Sequence, residues 1–272
     1  MIDFALDPQS EKLFAKIHVF RAHITIRHET AGFLVKTAEN PMELIDVLRL
    51  RHQVFLKEWQ GKEQVHGLDI EDYDFRSDHL MIIDKNKGQV VGTYRLMASV
   101  FTNQFYSQSE FDLTEFLRWP IKVLEMGRAC THADYRTGQT FDLLWRGLAQ
   151  YIKASQAQCL FGCSSVKTSN PAVVASLIHH LQQSGQYSDA YNIRPLESFR
   201  HPEFSLDQVC ELSREELKQI LPSLLRSYLQ AGAKVYGEPA FDKEFACFDL
   251  LTILDMKNIT KRHYQRYFEL SH

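Results

Sequence analysis

Glu125 is the residue best placed to do chemistry, because it stands in Val123-Leu124-Glu125-Met126-Gly127-Arg128-Ala129-Cys130, a run otherwise suited to a buried strand. A carboxylate inside an apolar strand is costly to bury without a partner. Two readings satisfy it. One is a structural ion pair with Arg128 or Arg95; the other is a general base facing an incoming amine. Strict alternation puts Glu125 and Arg128 on opposite faces of the strand, but Gly127 between them is a natural bulge position. A bulge would free backbone N–H groups near residues 127–130, including that of Cys130, for a thioester oxygen as it becomes an oxyanion.

Immediately downstream, Tyr135-Arg136-Thr137-Gly138-Gln139-Thr140 leads into a helix. A strand, a short glycine-containing turn and a helix N-terminus make an anion site, since the first-turn N–H groups lack internal partners and carry the positive end of the helix dipole. A pyrophosphate or a phosphopantetheine phosphate fits there, over Gly138 and Thr140, with Arg136 adding charge. Arg136, Arg146 and Lys153 follow near-helical spacing, suited either to an acidic carrier protein or to a solvated helix face. Glu71 and Asp74, in the acidic stretch Asp69 to Asp78, suit an ammonium group, and Arg95 or Arg128 a carboxylate. As loop charges or strand-end ion pairs they would do no chemistry. Trp145 and Phe161 fit the core better than an acyl tunnel.

The elements that must position these groups come from a chain of 272 residues, enough for one large α/β domain or two small ones. Thirty-one basic against thirty-four acidic residues give a net charge of -3, which offers no global attraction to nucleic acid. No apolar run approaches the ~18 residues that span a bilayer, and Met1-Ile2-Asp3-Phe4 lacks the pattern of a secretory signal. Five cysteines without paired spacing point to a reducing, cytoplasmic home. Cys159 and Cys163 are followed by no second ligand pair, so no metal is expected. They read as buried thiols, and His179-His180 as part of a helix.

Residues 1–30 form the most detachable part, an N-terminal extension with a short amphipathic helix around Glu11 to His23; residues 31–272 form the domain. Phe33–Thr37 reads as a strand. Asn40-Pro41-Met42-Glu43 is a helix start, with a cap, a first-turn proline and a carboxylate three residues after the cap. Leu44, Val47, Leu48 and Phe55 carry that helix toward residue 56. Strands are expected at 79–84 and 89–98, then a loop of about twenty residues, then a central strand at 121–130. A helix at 139–155, a strand at 159–164 and a helix from Asn170 to Gly185 follow. Ser213 opens a capping box, and Pro222 breaks or restarts that helix. Strands at 233–236 and 245–254 flank Gly237-Glu238-Pro239, and Asn258 caps a terminal helix. Hairpins around a βαβ piece argue for a mixed α/β sheet with helices on both faces.

Glu125-Met126-Gly127-Arg128, the Arg136 loop and Leu143-Leu144-Trp145-Arg146-Gly147 resemble the ornithine–acyl-carrier-protein N-acyltransferases, GNAT-like enzymes that make lyso-ornithine lipid. The resemblance runs from about Phe33 to Asp255. It takes in Arg51-His52-Gln53-Val54-Phe55, Asp78-His79-Leu80, Val91 to Leu96, Phe105 to Phe111, Tyr228 to Val235 and Gly237 to Ala240. A more distant likeness is to acyl-homoserine-lactone synthases, whose recurring Arg, Phe and Trp look like Arg51, Phe55 and Trp59. Their acidic pair looks like Glu71 and Asp74, their strand arginine like Arg95, and their Glu-x-x-Arg like Glu125 and Arg128. The Arg136 loop is one residue shorter than the usual Arg-x-x-Gly-x-Gly and lacks its second glycine.

The resemblance implies a GNAT-like fold without a bound cofactor. It implies transfer of a (3-hydroxy)fatty acyl group from acyl carrier protein, or from acyl-CoA, to an amino acid such as ornithine. In that reaction Glu125 is the base, and Arg51, Phe55, Glu71, Asp74, Arg95 and Arg128 surround the acceptor. Two alternatives stay open: an autoinducer synthase using S-adenosylmethionine, and an inactive binding module. The basic run Lys257, Lys261, Arg262, His263 and Arg266 suits an anionic, inner-membrane surface or a helix that closes the domain.

Overall fold

The computed structural model describes residues 8–64 and 66–269. In chain order it runs α1 (Pro8–Ile17), β1 (Arg27–Glu29), β2 (Phe33–Thr37), α2 (Pro41–Arg51), β3 (Asp78–Asp84), β4 (Gln89–Ala98), β5 (Phe111–Asp112) and α3 (Thr114–Leu117). It continues with β6 (Val123–Thr131), α4 (Gly138–Ser155), β7 (Cys159–Val166), α5 (Pro171–Gln183), β8 (Tyr187–Ser188) and β9 (Arg194–Pro195). The last elements are α6 (Arg214–Ile220), α7 (Ser223–Ala231), β10 (Lys234–Asp242), β11 (Cys247–Asp255) and α8 (Lys261–Tyr267).

These elements form two compact units. Unit one comprises the described residues through Thr102 together with Met126–Gln156, and unit two Asn103–Glu125 together with the described residues from Ala157. Strand β6 therefore gives its first three residues to unit two and the rest to unit one.

In unit one the strand order is β1-β2-β3-β4-β6. Strands β1 to β4 are antiparallel, with Val35 opposite Ile82 and Leu80 opposite Tyr94. The β2 and β4 boundaries are those the alternation predicts, and Arg27–Glu29 joins the edge of β2. Asn40 caps α2 as expected: its Oδ1 accepts the N–H groups of Met42 and Glu43 at 3.0 and 3.1 Å. Leu44, Val47 and Leu48 of that helix are fully buried. The helix does not stop near 56. It widens into a π-helical segment, His52–Gln60, that ends on the left-handed Gly61. Helix α4 packs on β3 and β4, and its Leu143, Leu144, Trp145 and Leu148 are buried.

In unit two the first residues of β6 run parallel to β7, with Glu125 opposite Phe161. Strand β11 is antiparallel to both β7 and β10, and β8 is parallel to β10. Val174, Leu177 and Ile178 of α5, with Leu225 of α7, cover Phe248 and Leu250 of β11. The sheet is mixed and the fold α/β, as the pattern requires.

Three local expectations change. The segment before β6 is not a bare loop: it carries the 3-10 turn Tyr106–Ser109, β5 and α3. Gly237-Glu238-Pro239 is not the hairpin turn but a register shift inside β10, and the turn falls between Asp242 and Cys247. Proline within a strand is tolerated at such an irregularity. Finally, Thr260 and not Asn258 begins the terminal helix; Asn258 ends a 3-10 turn, and the Thr260 N–H donates to Ala231 O at 2.8 Å. Phe268, which follows this helix, is buried. Among the described residues no helix is long and apolar enough to cross a membrane.

Gly237 has φ +68°, and a Cβ added there would lie 2.1 Å from Ile193 O. Gly237→Ala is therefore expected to destabilise the protein by about 2–4 kcal/mol, from backbone overlap plus the left-handed conformation. A denaturant melt reads this directly; an unchanged midpoint contradicts it.

Candidate active site

Glu125 is 3 % exposed. Its Oε2 accepts the Tyr106 N–H at 2.6 Å, and its Oε1 accepts the Ser107 N–H at 2.6 Å and the Ser107 hydroxyl. The 3-10 turn Tyr106–Ser109 presents both amides to it because first-turn N–H groups have no intrahelical partner. The carboxylate burial that the sequence left to an arginine or a catalytic role is thus supported by a helix-terminal clamp. Tyr106 and Ser107 lay inside a block matched by resemblance, but nothing in their residue types announced this role. Ser107 Oγ also receives the Cys163 thiol at 3.4 Å.

The other residues expected around an acceptor lie in unit one, as alternating positive and negative groups. Arg51, with no exposed surface, donates from Nε to Asp69 at 2.8 Å and from Nη1 to Asp74 at 2.6 Å. Arg95 Nη1 reaches Glu71 at 2.7 Å and Asp74 at 3.4 Å. Arg128 pairs with Glu71, lies 3.9 Å from Asp69, and holds its guanidinium 5.8 Å from the Phe55 ring centre. Asp74 and Glu71 also close a capping box on the 3-10 turn Asp72–Arg76, where Asp74 accepts the Glu71 N–H at 2.8 Å.

Arg51, Phe55, Glu71, Asp74, Arg95 and Arg128 are thus brought together, with Asp69 as a member that the sequence reading did not single out. Asp74 is fully buried and engaged with two arginines, an internal partner and not an open ammonium site. Glu71, a quarter exposed, is the acidic side chain of the pair that faces outward.

The charges fit this picture. Burial opposes ionisation of Asp69, but Arg51 and Arg128 overcome it and hold its carboxyl down at about 2. Burial also opposes the Arg51 charge, and Asp69 and Asp74 more than restore it. His79 sits beside the cluster, its Nε2 3.0 Å from Asp74 O, and burial pushes it down to about 4 against the pull of Asp74.

A histidine kept neutral in the fold and protonated at 6.5 when unfolded contributes stability that is complete above 6.5. That stability is lost as pH falls through about 4. Asp69, depressed from 3.8 to about 2, adds a loss only below that window. His79 is therefore expected to lower the denaturant midpoint as pH falls from about 6.5 to 4. The difference between the wild type and His79→Gln reads this contribution apart from the oppositely signed one of Glu110, whose carboxyl burial raises. An unchanged slope in the variant counts against the assignment.

The strand irregularity expected at Gly127 falls one residue later: Arg128 has φ +49°. A non-glycine residue there is strained and persists only where its surroundings hold it, here the contacts with Glu71 and Asp69. Cys130 is buried, and burial pushes its thiol up to about 12. Thr137 caps α4, accepting the Thr140 N–H at 3.5 Å; Gly138 is exposed and Thr140 buried. Arg136 is exposed at this helix start and pairs with Glu58. Arg146 pairs with Asp142 at 2.7 Å, while Lys153 is exposed near the other end of α4. Phe161 is core, as expected, and so is Cys159, whose thiol burial pushes up to about 12; His179 and His180 are exposed.

Comparison with known proteins gives consistent results. Residues 50–146 match the acetyltransferase (GNAT) domain family. The chain is 30% identical over 257 residues to an L-ornithine N(alpha)-acyltransferase of Rhodobacter capsulatus, covering 87% of this chain and 95% of that protein. It is 29% identical to an L-ornithine N(alpha)-acyltransferase of Agrobacterium fabrum, covering 85% and 84%. Among solved structures, the AHL synthase LasI aligns with a TM-score of 0.51 at 14% identity, over 88% of this chain and 96% of that one. At that identity the likeness speaks to the fold alone, which is the GNAT-like fold expected.

Proposed function

Because the chain belongs to the L-ornithine N(alpha)-acyltransferase family, and is thereby an acyltransferase, we propose that it moves a 3-hydroxy fatty acyl group from the phosphopantetheine thioester of acyl carrier protein to the α-amine of ornithine. The amine attacks the thioester carbon, the C–N bond forms, and the C–S bond breaks. Glu125, directly or through one water, takes the ammonium proton and returns one to the departing thiolate. The oxyanion of the intermediate is met by backbone N–H groups around residues 127–130.

The observation that carries this reading is the buried Glu125 with both oxygens gripped by the turn at 106–107. Such a clamp fixes a base in one orientation, which is what proton transfer requires. Direct attack is favoured over an acyl-enzyme because burial raises the thiols of Cys130, Cys159 and Cys163, keeping them protonated and poorly nucleophilic. Glu71, together with Arg95 and Arg128, is read as the acceptor's partner for its α-amino and carboxylate groups, with Arg51 and Phe55 holding those arginines in place.

A carrier-protein donor, in preference to acyl-CoA, is supported by the short Arg136 loop and by Arg136, Arg146 and Lys153 on and before α4. The phosphopantetheine phosphate would rest at Gly138 and Thr140. The N-acyl amino acid product is an amphiphile, and the basic C-terminal run suits delivery at the cytoplasmic face of a membrane.

The test is mass spectrometry of the products from purified protein, 3-hydroxyacyl carrier protein, a pool of amino acids and S-adenosylmethionine. N-acyl ornithine is the expected product. Release of methylthioadenosine would indicate autoinducer synthesis, and carrier binding without turnover would indicate a binding module.

A further inference from the structure

Unit two holds three carboxylates that the reaction as described does not use. Glu110 follows the turn that clamps Glu125, Asp242 ends β10 and Asp249 lies in β11. One oxygen of each lies within 4.8 Å of the others. Glu110 is 1 % and Asp249 4 % exposed, and Asp242 is half-buried. Glu110 Oε1 is buried with no hydrogen-bond partner, while Oε2 receives the Cys163 thiol at 3.5 Å. Tyr106 also hydrogen-bonds Glu110 through its side chain. Asp249 accepts the Ser165 hydroxyl at 2.6 Å and the Cys247 thiol at 3.9 Å. Asp242 accepts the Glu244 and Phe245 N–H groups in the hairpin turn, at 2.7 and 3.0 Å.

A buried acceptor left unmatched beside two like charges is unfavourable unless a proton or a cation joins it. Burial, and after it the charge of Asp249, pushes Glu110 up to about 9, so without a cation it holds a proton at neutral pH.

We propose that Glu110, Asp242 and Asp249 bind the side-chain ammonium of the acceptor, the amine that is held and not acylated. The proposal rests on the reading that the acceptor is a diamino acid. An ammonium offers three N–H donors on a tetrahedral nitrogen. Three acceptors about 2.9 Å from it lie about 4.7 Å apart, within the spread of this cluster. A hard divalent cation asks for six to eight oxygen ligands, and here two of the three carboxylates are flanked by thiols that burial keeps protonated.

The cluster also connects to the base within the same unit. Glu110 meets Cys163, Cys163 meets Ser107, and Ser107 meets Glu125. A diamino acid with its terminal ammonium on Glu110 and its α-nitrogen toward Glu125 would touch both ends of this row of polar groups, in which the single Cys163 proton serves either Glu110 or Ser107. The pocket therefore selects which nitrogen is acylated.

Ornithine and norvaline, which lacks only the terminal nitrogen, separate the possibilities when offered to the full-length protein with 3-hydroxyacyl carrier protein. The wild type is expected to favour ornithine by at least about 100-fold in kcat/KM. In Asp249→Asn, and in Asp242→Asn at the half-buried edge, that preference is expected to collapse to within about fivefold. Calorimetry of the wild type near neutral pH, in buffers of different ionisation enthalpy, adds a readout that needs no variant. Ornithine should displace the Glu110 proton and norvaline should not.

A wild type that acylates ornithine while both variants keep its preference overturns the pocket alone. Equal proton release with the two acceptors does the same. Loss of ornithine turnover on chelation, restored by Mg2+ or Ca2+, overturns it in favour of a divalent cation. A wild type that acylates no diamino acid removes the acceptor reading and the pocket together.

Discussion

Glu125→Gln is expected to lower kcat by about 10²–10⁴-fold, the usual contribution of a positioned general base. The substitution keeps the size of the side chain but not its hydrogen bonds. Each carboxylate oxygen faces at least one backbone N–H, Tyr106 at Oε2 and Ser107 at Oε1. The new NH2 must therefore oppose a donor whichever way the amide turns. Turned toward Tyr106 it opposes one donor; toward Ser107 it opposes an N–H and forces the hydroxyl to rotate. The first orientation is preferred, and the orphaned Tyr106 amide costs about 1–3 kcal/mol. Some loss of stability is thus expected alongside the loss of rate.

The pH profile separates the two effects. A variant lacking only its base recovers as pH rises, because the free amine then forms without help. A variant that is merely loosened gains nothing from added hydroxide. Retention of kcat within about tenfold, with a lowered melting midpoint, would reduce Glu125 to a structural clamp.

How far such a site can be read from sequence depends on how local its causes are. Strands β2 and β4 and the cap of α2 were legible because alternation and Asn40-Pro41 act over a few neighbouring residues. The turn Tyr106–Ser109 was not. It is short, and its amides are held by a carboxylate nearly twenty positions away. The same holds for β5, whose two residues exist by pairing with Arg194 and Pro195. Gly237-Glu238-Pro239 has turn chemistry, and only the pairing of Ala240 with Asp249 beyond it shows that the strand resumes.

In unit one the arginines and acids singled out from sequence lie together, but their pairing was not legible. Arg51 finds Asp69 and Asp74 at separations that no periodicity encodes. Nor does the sequence show that Asp74, a candidate partner for an incoming ammonium, faces arginines inside the protein. Its loop looked solvated, whereas the capping box turns the side chain inward onto Arg51 and Arg95. Asp69 carries no signal of its own, because it marks the edge of the same acidic stretch.

That internal placement makes Asp74 the position where a small change should cost the most stability. Asp74→Asn removes one of three negative charges facing Arg51, Arg95 and Arg128, and takes one of its two carboxylates from each of two buried guanidinium groups, leaving Asp69 to Arg51 and Glu71 to Arg95. Breaking a buried pair by deleting one member costs about 3–5 kcal/mol, because the charge that remains cannot reach water. The melting temperature should fall on the order of ten degrees.

Glu71→Gln is the informative contrast. Its side chain is a quarter exposed, so the arginines it leaves can be partly rehydrated, and the expected loss is within about 1 kcal/mol. If Glu71 holds the acceptor, its variant should show a raised KM for ornithine with a nearly unchanged melting point, while Asp74→Asn shows the reverse balance. Equal destabilisation by the two substitutions, with no separate effect on KM, would make the arginine cluster scaffolding throughout. Recognition of the acceptor would then have to reside in unit two, beside Glu125.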